Sequence, residues 1–278
     1  MNGLNNNNNG GFNMNGNNNG GFKMNGFNSN NNGGFKMNGF NNNNGGFNMD
    51  ANIARTNRYH NLDVSNPAPR CPVVLLLDTS SSMYGAPINE LRAGVRQFLR
   101  ETSDDEAAGR SVELEVITFD DRARAILPFT PISGVRLNDN ALNANGMTSM
   151  GAALEMAYRD LNNRRRMYRD NGISAYRPWV ILMTDGGPND DWENKYQQLQ
   201  QLGERGKIQY LGIGIGDDAD FETLRMILPA NPGPVKLKEL RFKAFFRWLT
   251  DSMKSVSRSA VSDQDNVQFG GIDDWAEL

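Results

Sequence analysis

Five consecutive apolar residues, Val73-Val74-Leu75-Leu76-Leu77, run straight into Asp78-Thr79-Ser80-Ser81-Ser82. A continuous apolar run of this length predicts a central strand covered on both faces. This one ends in a carboxylate and a series of hydroxyls. Pro87 fits the first turn of a helix, and Ile88, Leu91, Val95, Phe98 and Leu99 follow at helical spacing. Residues 112–119 alternate and predict a strand with one less buried face, with 123–129 pairing beside it. Residues 150–167 predict a helix carrying Leu154, Tyr158 and Leu161 on one side. Residues 179–183 are a second continuous apolar strand. The pattern then predicts a polar helix over 191–205, a strand over 208–215, a short helix over 220–228 and a short strand over 235–237. A closing helix over 242–256 carries Phe245, Phe246, Leu249 and Met253.

Strands alternating with helices predict an α/β fold, a doubly wound and mostly parallel sheet with helices on both faces. In such sheets ligands bind beyond the carboxyl ends of the strands, where strand order reverses. Asp78 stands at the carboxyl end of the first strand and Asp185 at that of 179–183, so the topology can bring the two acids together.

The folded body is expected over 71–262, behind a polar lead-in at 51–70 and ahead of an acidic C-terminal tail at 263–278. The first 50 residues hold 22 Asn and 12 Gly, too little apolar surface to offset the entropy of folding, so a disordered Asn/Gly-rich tail is expected. Within it Gly-Gly-Phe-Xaa-Met recurs, with its aromatic at Phe12, Phe22, Phe35 and Phe47. The spacing is too short and irregular for a solenoid. The composition predicts a flexible extension, with self-association through Asn and spaced aromatics as the sharper reading.

Three loops gather oxygen donors near the two acids. The first offers Asp78, Ser80 and Ser82, the second Thr148 and Ser149, the third Asp185. With no His or Cys among them, the set suits Mg²⁺, Mn²⁺ or Ca²⁺ rather than Zn²⁺. Two carboxylates and several neutral hydroxyls leave a divalent cation electron-poor and ready for one more acidic ligand.

Asp78-Thr79-Ser80-Ser81-Ser82, with Thr148 and Asp185-Gly186, resembles the metal-ion-dependent adhesion site of von Willebrand factor A domains. The resemblance covers about residues 70–262. In segments 74–83, 178–186 and 245–249 the chain is also similar to the bacterial intracellular tellurium-resistance branch typified by TerY and its YegL-like relatives. The resemblance implies that Ser80, Ser82 and Thr148 give hydroxyls to the metal, most simply Mg²⁺. Asp78 and Asp185 would act directly or through water, and a protein partner would bring an acidic side chain. The branch implies stress or tellurite resistance beside kinase or phosphatase partners. The loop reads Gly146-Met147-Thr148, where relatives often carry a second Gly before the Thr and a Pro after it.

The remaining features narrow the reading. A phosphatase with an acid after its first strand needs a second acid two residues on; here that residue is Ser80, which cannot transfer protons as a carboxylate does. An interaction module is therefore expected rather than an enzyme, with a self-assembling scaffold as the alternative. Gly212-Ile213-Gly214-Ile215-Gly216 falls too late in the chain for a dinucleotide loop and is expected to let a strand pack closely. Arg164, Arg165 and Arg166 crowd a helix end, a solvated run or a docking patch for an acidic partner. Trp275 among carboxylates is a candidate linear motif. His60 is the sole histidine and lies in the lead-in. A formal charge of −3 argues against nucleic acid. The lone Cys71, the absence of a leader-like start and the lack of any membrane-length apolar stretch predict a cytoplasmic protein away from the membrane.

Overall fold

The computed structural model describes residues 62–231, 233–262 and 271–277. The N-terminal repeats, His60 and residues 263–270 lie outside the described residues. One seven-stranded sheet organises the body, in the order β3-β2-β1-β4-β5-β6-β7. Its strands are β1 (Cys71–Asp78), β2 (Val112–Phe119), β3 (Ala123–Pro131), β4 (Trp179–Thr184), β5 (Gln209–Ile215), β6 (Pro234–Leu237) and β7 (Ala276–Glu277). The five inner strands run parallel, and β3 and β7 close the edges antiparallel. The helices are α1 (Ala86–Ser103), α2 (Glu106–Ser111), α3 (Met150–Asp170), α4 (Gln197–Glu204), α5 (Phe221–Ile227) and α6 (Phe242–Arg258).

The apolar run of β1 serves two cores at once, because alternate side chains leave opposite faces of a strand. Val73, Leu75 and Leu77 pack with Leu91, Val95 and Phe98 of α1 and Phe245, Phe246 and Leu249 of α6. Val74 and Leu76 pack with Leu154, Ala157 and Leu161 of α3 and Leu224 and Ile227 of α5. The chain adds β2 on one side of β1 and later β4 on the other. The order thus reverses between β1 and β4, and their carboxyl ends, Asp78 and Thr184, border the crevice.

Several expectations are corrected. β2 has no less buried face: all eight of its residues are buried, Glu113 and Glu115 included. Helix α4 begins only at Gln197, because residues 189–192 are occupied elsewhere. The Asp190 carboxylate accepts the Gly151 and Ala152 amides at 2.9 and 2.8 Å, closing the exposed donors at the start of α3. Trp192 lies so close to Gly151 that a Cβ there would meet its Cα at 2.6 Å. The glycine run in β5 does allow close packing: Cβ atoms at Gly212 and Gly214 would meet Leu228 at 2.0 Å and Phe221 at 2.5 Å.

Candidate metal centre

Asp78 ends β1 with no exposed surface. Its Oδ1 accepts the Ser80 amide at 2.8 Å, bending the chain sharply out of the strand. Its Oδ2 accepts the Thr184 hydroxyl at 2.6 Å, which ties the end of β1 to the end of β4. A single 3-10 turn, Ser81–Met83, follows, with Met83 buried beneath it. That turn brings Ser80 Oγ within 2.9 Å of Ser82 Oγ, and Ser82 Oγ donates to Asp185 Oδ1 at 2.8 Å. Asp78, Ser80, Ser82 and Asp185 are thus joined by one hydrogen-bonded run of oxygens across the crevice.

The loop bearing Thr148 is stitched to the same place. The Asn145 amide donates to Thr79 O at 2.8 Å, and Ser81 donates to Gly146 O through both its amide (3.0 Å) and its hydroxyl (2.9 Å). Gly146 has φ +73°, and a Cβ there would lie 2.6 Å from the Asp121 carboxylate, so only glycine fits. Asp121 in turn accepts the Met147 amide at 2.9 Å. The Thr148 amide donates to Asn189 Oδ1 at 3.1 Å, and the Asn189 amide donates back to Thr148 O at 2.9 Å. Thr148 is 6% exposed. Asp121, Asn189 and Asp190 position this loop, and the sequence reading missed all three. The available signal was placement: Asp120-Asp121 follow β2 as Asp78 closes β1, and Asn189-Asp190 follow Asp185 by four and five residues.

The electrostatics suit a cation. Burial pushes the Asp78 carboxyl up to about 6, against the pull of hydrogen bonds from Ser80 and Thr184. Burial also raises Asp185; the Ser82 hydroxyl opposes this and nearby Asp218 adds to it. The hydrogen bonds to these two carboxylates come from a backbone amide and from hydroxyls. Among the described residues no three His, Cys, Asp or Glu side chains cluster as a metal cage. Carboxylate and hydroxyl oxygens, the donors gathered here, are of the type that suits a hard divalent ion.

The von Willebrand factor type A domain model matches residues 73–244. The chain belongs to that family. Over 173 residues it is 26% identical to human (Homo sapiens) inter-alpha-trypsin inhibitor heavy chain H6, covering 58% of this chain and 12% of that protein. A solved von Willebrand factor type A structure from Catenulispora acidiphila aligns with a TM-score of 0.52 at 22% identity, covering 67% of this chain and 43% of that one. The open conformation of the pilus adhesin SpaC from Lactobacillus rhamnosus GG aligns at 0.52 and 15% identity, covering 67% and 30%. These two structures show a shared fold. The chain spans less than half the length of each of the three.

Two partner-binding expectations for this A domain are corrected. Arg164 is only 2% exposed: its Nε and Nη2 each lie 2.6 Å from Glu113 Oε2. Tyr168 donates to the same oxygen, and Arg70 Nε stands 3.3 Å from Glu113 Oε1 as an ion-pair contact. Arg164 is thus an interior counter-charge and no part of a docking patch. Arg166 is exposed, and Arg165 is half-buried beside a cavity of about 530 Å³ that Tyr176, Arg177 and Lys207 also line. That cavity lies at the amino end of the sheet, away from Asp78. Trp275 is 1% exposed and stacks among Phe245 and Trp248, with ring centroids 5.0 and 5.2 Å apart. It is a core residue, and the next two residues form β7. Part of the expected acidic tail is therefore a piece of the domain.

Proposed function

We propose that this A domain is a metal-ion-dependent protein-binding module. Ser80, Ser82 and Thr148 would hold the ion through hydroxyls, with Asp78 and Asp185 in contact directly or through water. Mg²⁺ suits the hard oxygen donors best, and Mn²⁺ and Ca²⁺ are chemically close. When bound, the ion offers a positive Lewis-acid centre to an incoming carboxylate, so the partner is expected to present an acidic side chain. The observation that carries this reading is the hydrogen-bonded chain from Asp78 through the Ser80 amide and the Ser80 and Ser82 hydroxyls to Asp185, which sets two carboxylates and two neutral hydroxyls around one crevice.

No second acid stands at Ser80, which supports binding over phosphoryl chemistry. A place in the cell interior is supported by the single cysteine; Cys71 is buried, and burial pushes its thiol up to about 12. Among the described residues no helix is long and apolar enough to cross a membrane. The tellurium-resistance branch, with kinase or phosphatase partners, rests on the similarity of three segments alone, and none of the three relatives named above carries that description.

The test is capture of partners on immobilised protein in Mg²⁺ and in EDTA, with Asp78→Ala beside the wild type. Binding should need both the metal and Asp78. Partners retained in EDTA and on the variant would overturn the metal-bridging reading.

A further inference from the structure

Two exposed apolar side chains flank the oxygen run. Tyr84 is 80% exposed and Met147 is 57% exposed. Tyr84 lies two residues past Ser82, with its amide donating to Ser81 O at 3.1 Å. Met147 directly precedes Thr148. The bonds from Ser81 to Gly146 O join the two loops beside them. The site is thus bordered from two loops by an aromatic and an adaptable thioether, side chains enriched in interface cores.

The chain carries a segment that matches this rim. Three of its repeats read Gly-Gly-Phe-Xaa-Met-Asn, ending at Asn15, Asn25 and Asn38. The fourth reads Gly45-Gly46-Phe47-Asn48-Met49-Asp50, with an acid where the others have an amide. Asp50 is the only Asp or Glu in residues 1–62. Resting on the metal-dependent reading above, we propose that the site captures this fourth repeat from a second copy of the chain. Asp50 supplies the missing carboxylate, and Phe47 and Met49 pack on Tyr84 and Met147.

Reach argues for a second copy. The Arg70 guanidinium donates to Asp63 O and Asn66 O at 2.6 and 2.9 Å, and Asn66 Nδ2 donates to Arg110 O at 2.8 Å. The described chain therefore starts at the amino end of β1 and β2, opposite Asp78. Eight strand residues span roughly 26 Å. The stretch from Asp50 to Leu62 covers about 40 Å at full extension. A coil of twelve residues averages only about 20 Å end to end, so a chain's own arm would need to extend beyond that mean to pass the sheet, whereas an arm from another copy carries no such constraint. A described chain that begins at one end of the sheet and a site at the other would join copies head to tail, which builds rings or open chains.

The experiment uses the full chain. In sedimentation velocity, Mg²⁺ should produce concentration-dependent oligomers that EDTA dissolves and that Asp50→Asn lacks. A synthetic peptide of residues 43–54 is then titrated onto full-length Asp50→Asn protein. Its Kd in Mn²⁺ should be at least about tenfold tighter than in EDTA, and tighter by the same factor than that of the peptide carrying Asp50→Asn. Tyr84→Ala and Met147→Ala, both at exposed positions, should each weaken it several-fold. Mn²⁺ binding is read separately by electron paramagnetic resonance. If Mn²⁺ binds but the peptide does not, or binds equally without Asp50, this proposal falls and the metal site stands. If Mn²⁺ does not bind, both fall. Metal-dependent compaction of the wild type at monomer mass, independent of concentration, would overturn the assignment to a second copy.

Discussion

At the scale of single residues, what decides a buried charge is its counter-charge. Glu113 lies between Arg70 and Arg164, with Tyr168 donating to it and the Arg164 guanidinium 5.5 Å above the Tyr168 ring. Removing the carboxylate leaves two arginines, 1% and 2% exposed, without it. Breaking a buried pair in this way costs about 3–5 kcal/mol. That is a large share of the roughly 5–15 kcal/mol by which domains are stable. Glu113→Ala should therefore shift a urea unfolding midpoint strongly downward, and a loss under about 1 kcal/mol would show that the network is dispensable. Arg164 also shows why its role was hidden in the sequence. An arginine near a helix end reads as solvated, and nothing local reveals that Glu113, 51 residues earlier, sits beneath it. That Asp78, Ser80, Ser82 and Asp185 meet at one crevice was legible because a carboxylate closing a buried strand is costly unless polar groups gather round it.

At the scale of elements, the strongly periodic segments were readable, as were the short α5 and β6, whereas α2 and β7 were not. β1 and β4 are continuous apolar runs, and α1, α3 and α6 carry clear helical stripes. Helix α2 has only six residues, too few to show a period, and β7 has two, held by pairing with β6 and by the Trp275 anchor. Both depend on tertiary contacts that no window of sequence contains. What marks the short helices is capping. Asp105 accepts the Ala108 amide at 3.0 Å at the start of α2, and Asp220 accepts the Thr223 amide at 3.0 Å and its hydroxyl at 2.6 Å at the start of α5. These bonds hold both carboxyls below the usual carboxylate range. For Asp105 the Ala108 amide is the main cause and Arg258 assists; for Asp220 it is the Thr223 hydroxyl. A lowered folded-state value means stability that is complete above the unfolded value near 4 and is lost as pH falls through the folded value. Asparagine also caps well but does not titrate in this range. Asp105→Asn with Asp220→Asn should therefore flatten the fall in stability below about pH 4. At pH 7 the loss should stay within about 1 kcal/mol per cap. Denaturation midpoints across that range check it, and an unchanged acid limb would refute it.

At the scale of the molecule, the two ends of the sheet treat buried carboxylates in opposite ways. Glu113, near the amino ends of β1 and β2, is neutralised by arginines. Asp78, at the carboxyl end of β1, takes its hydrogen bonds from the Ser80 amide and the Thr184 hydroxyl. Its charge is a standing cost in the metal-free protein. An amide of the same shape removes that cost. In Asp78→Asn the side-chain oxygen still accepts the Ser80 amide. The new NH₂ can donate to Thr184 Oγ1, whose own proton turns to Gly186 O, 3.1 Å away. In EDTA the variant should thus be as stable as the wild type or more so, the reverse of Glu113→Ala. In Mg²⁺ the ranking should invert. A ligand at one hundred times its Kd stabilises by about 2.7 kcal/mol, and only the wild type should gain it. Thermal or urea unfolding of both proteins with and without Mg²⁺ gives the four numbers. A variant several kcal/mol weaker in EDTA would make Asp78 a structural residue, and a variant that still gains from Mg²⁺ would place the ion elsewhere.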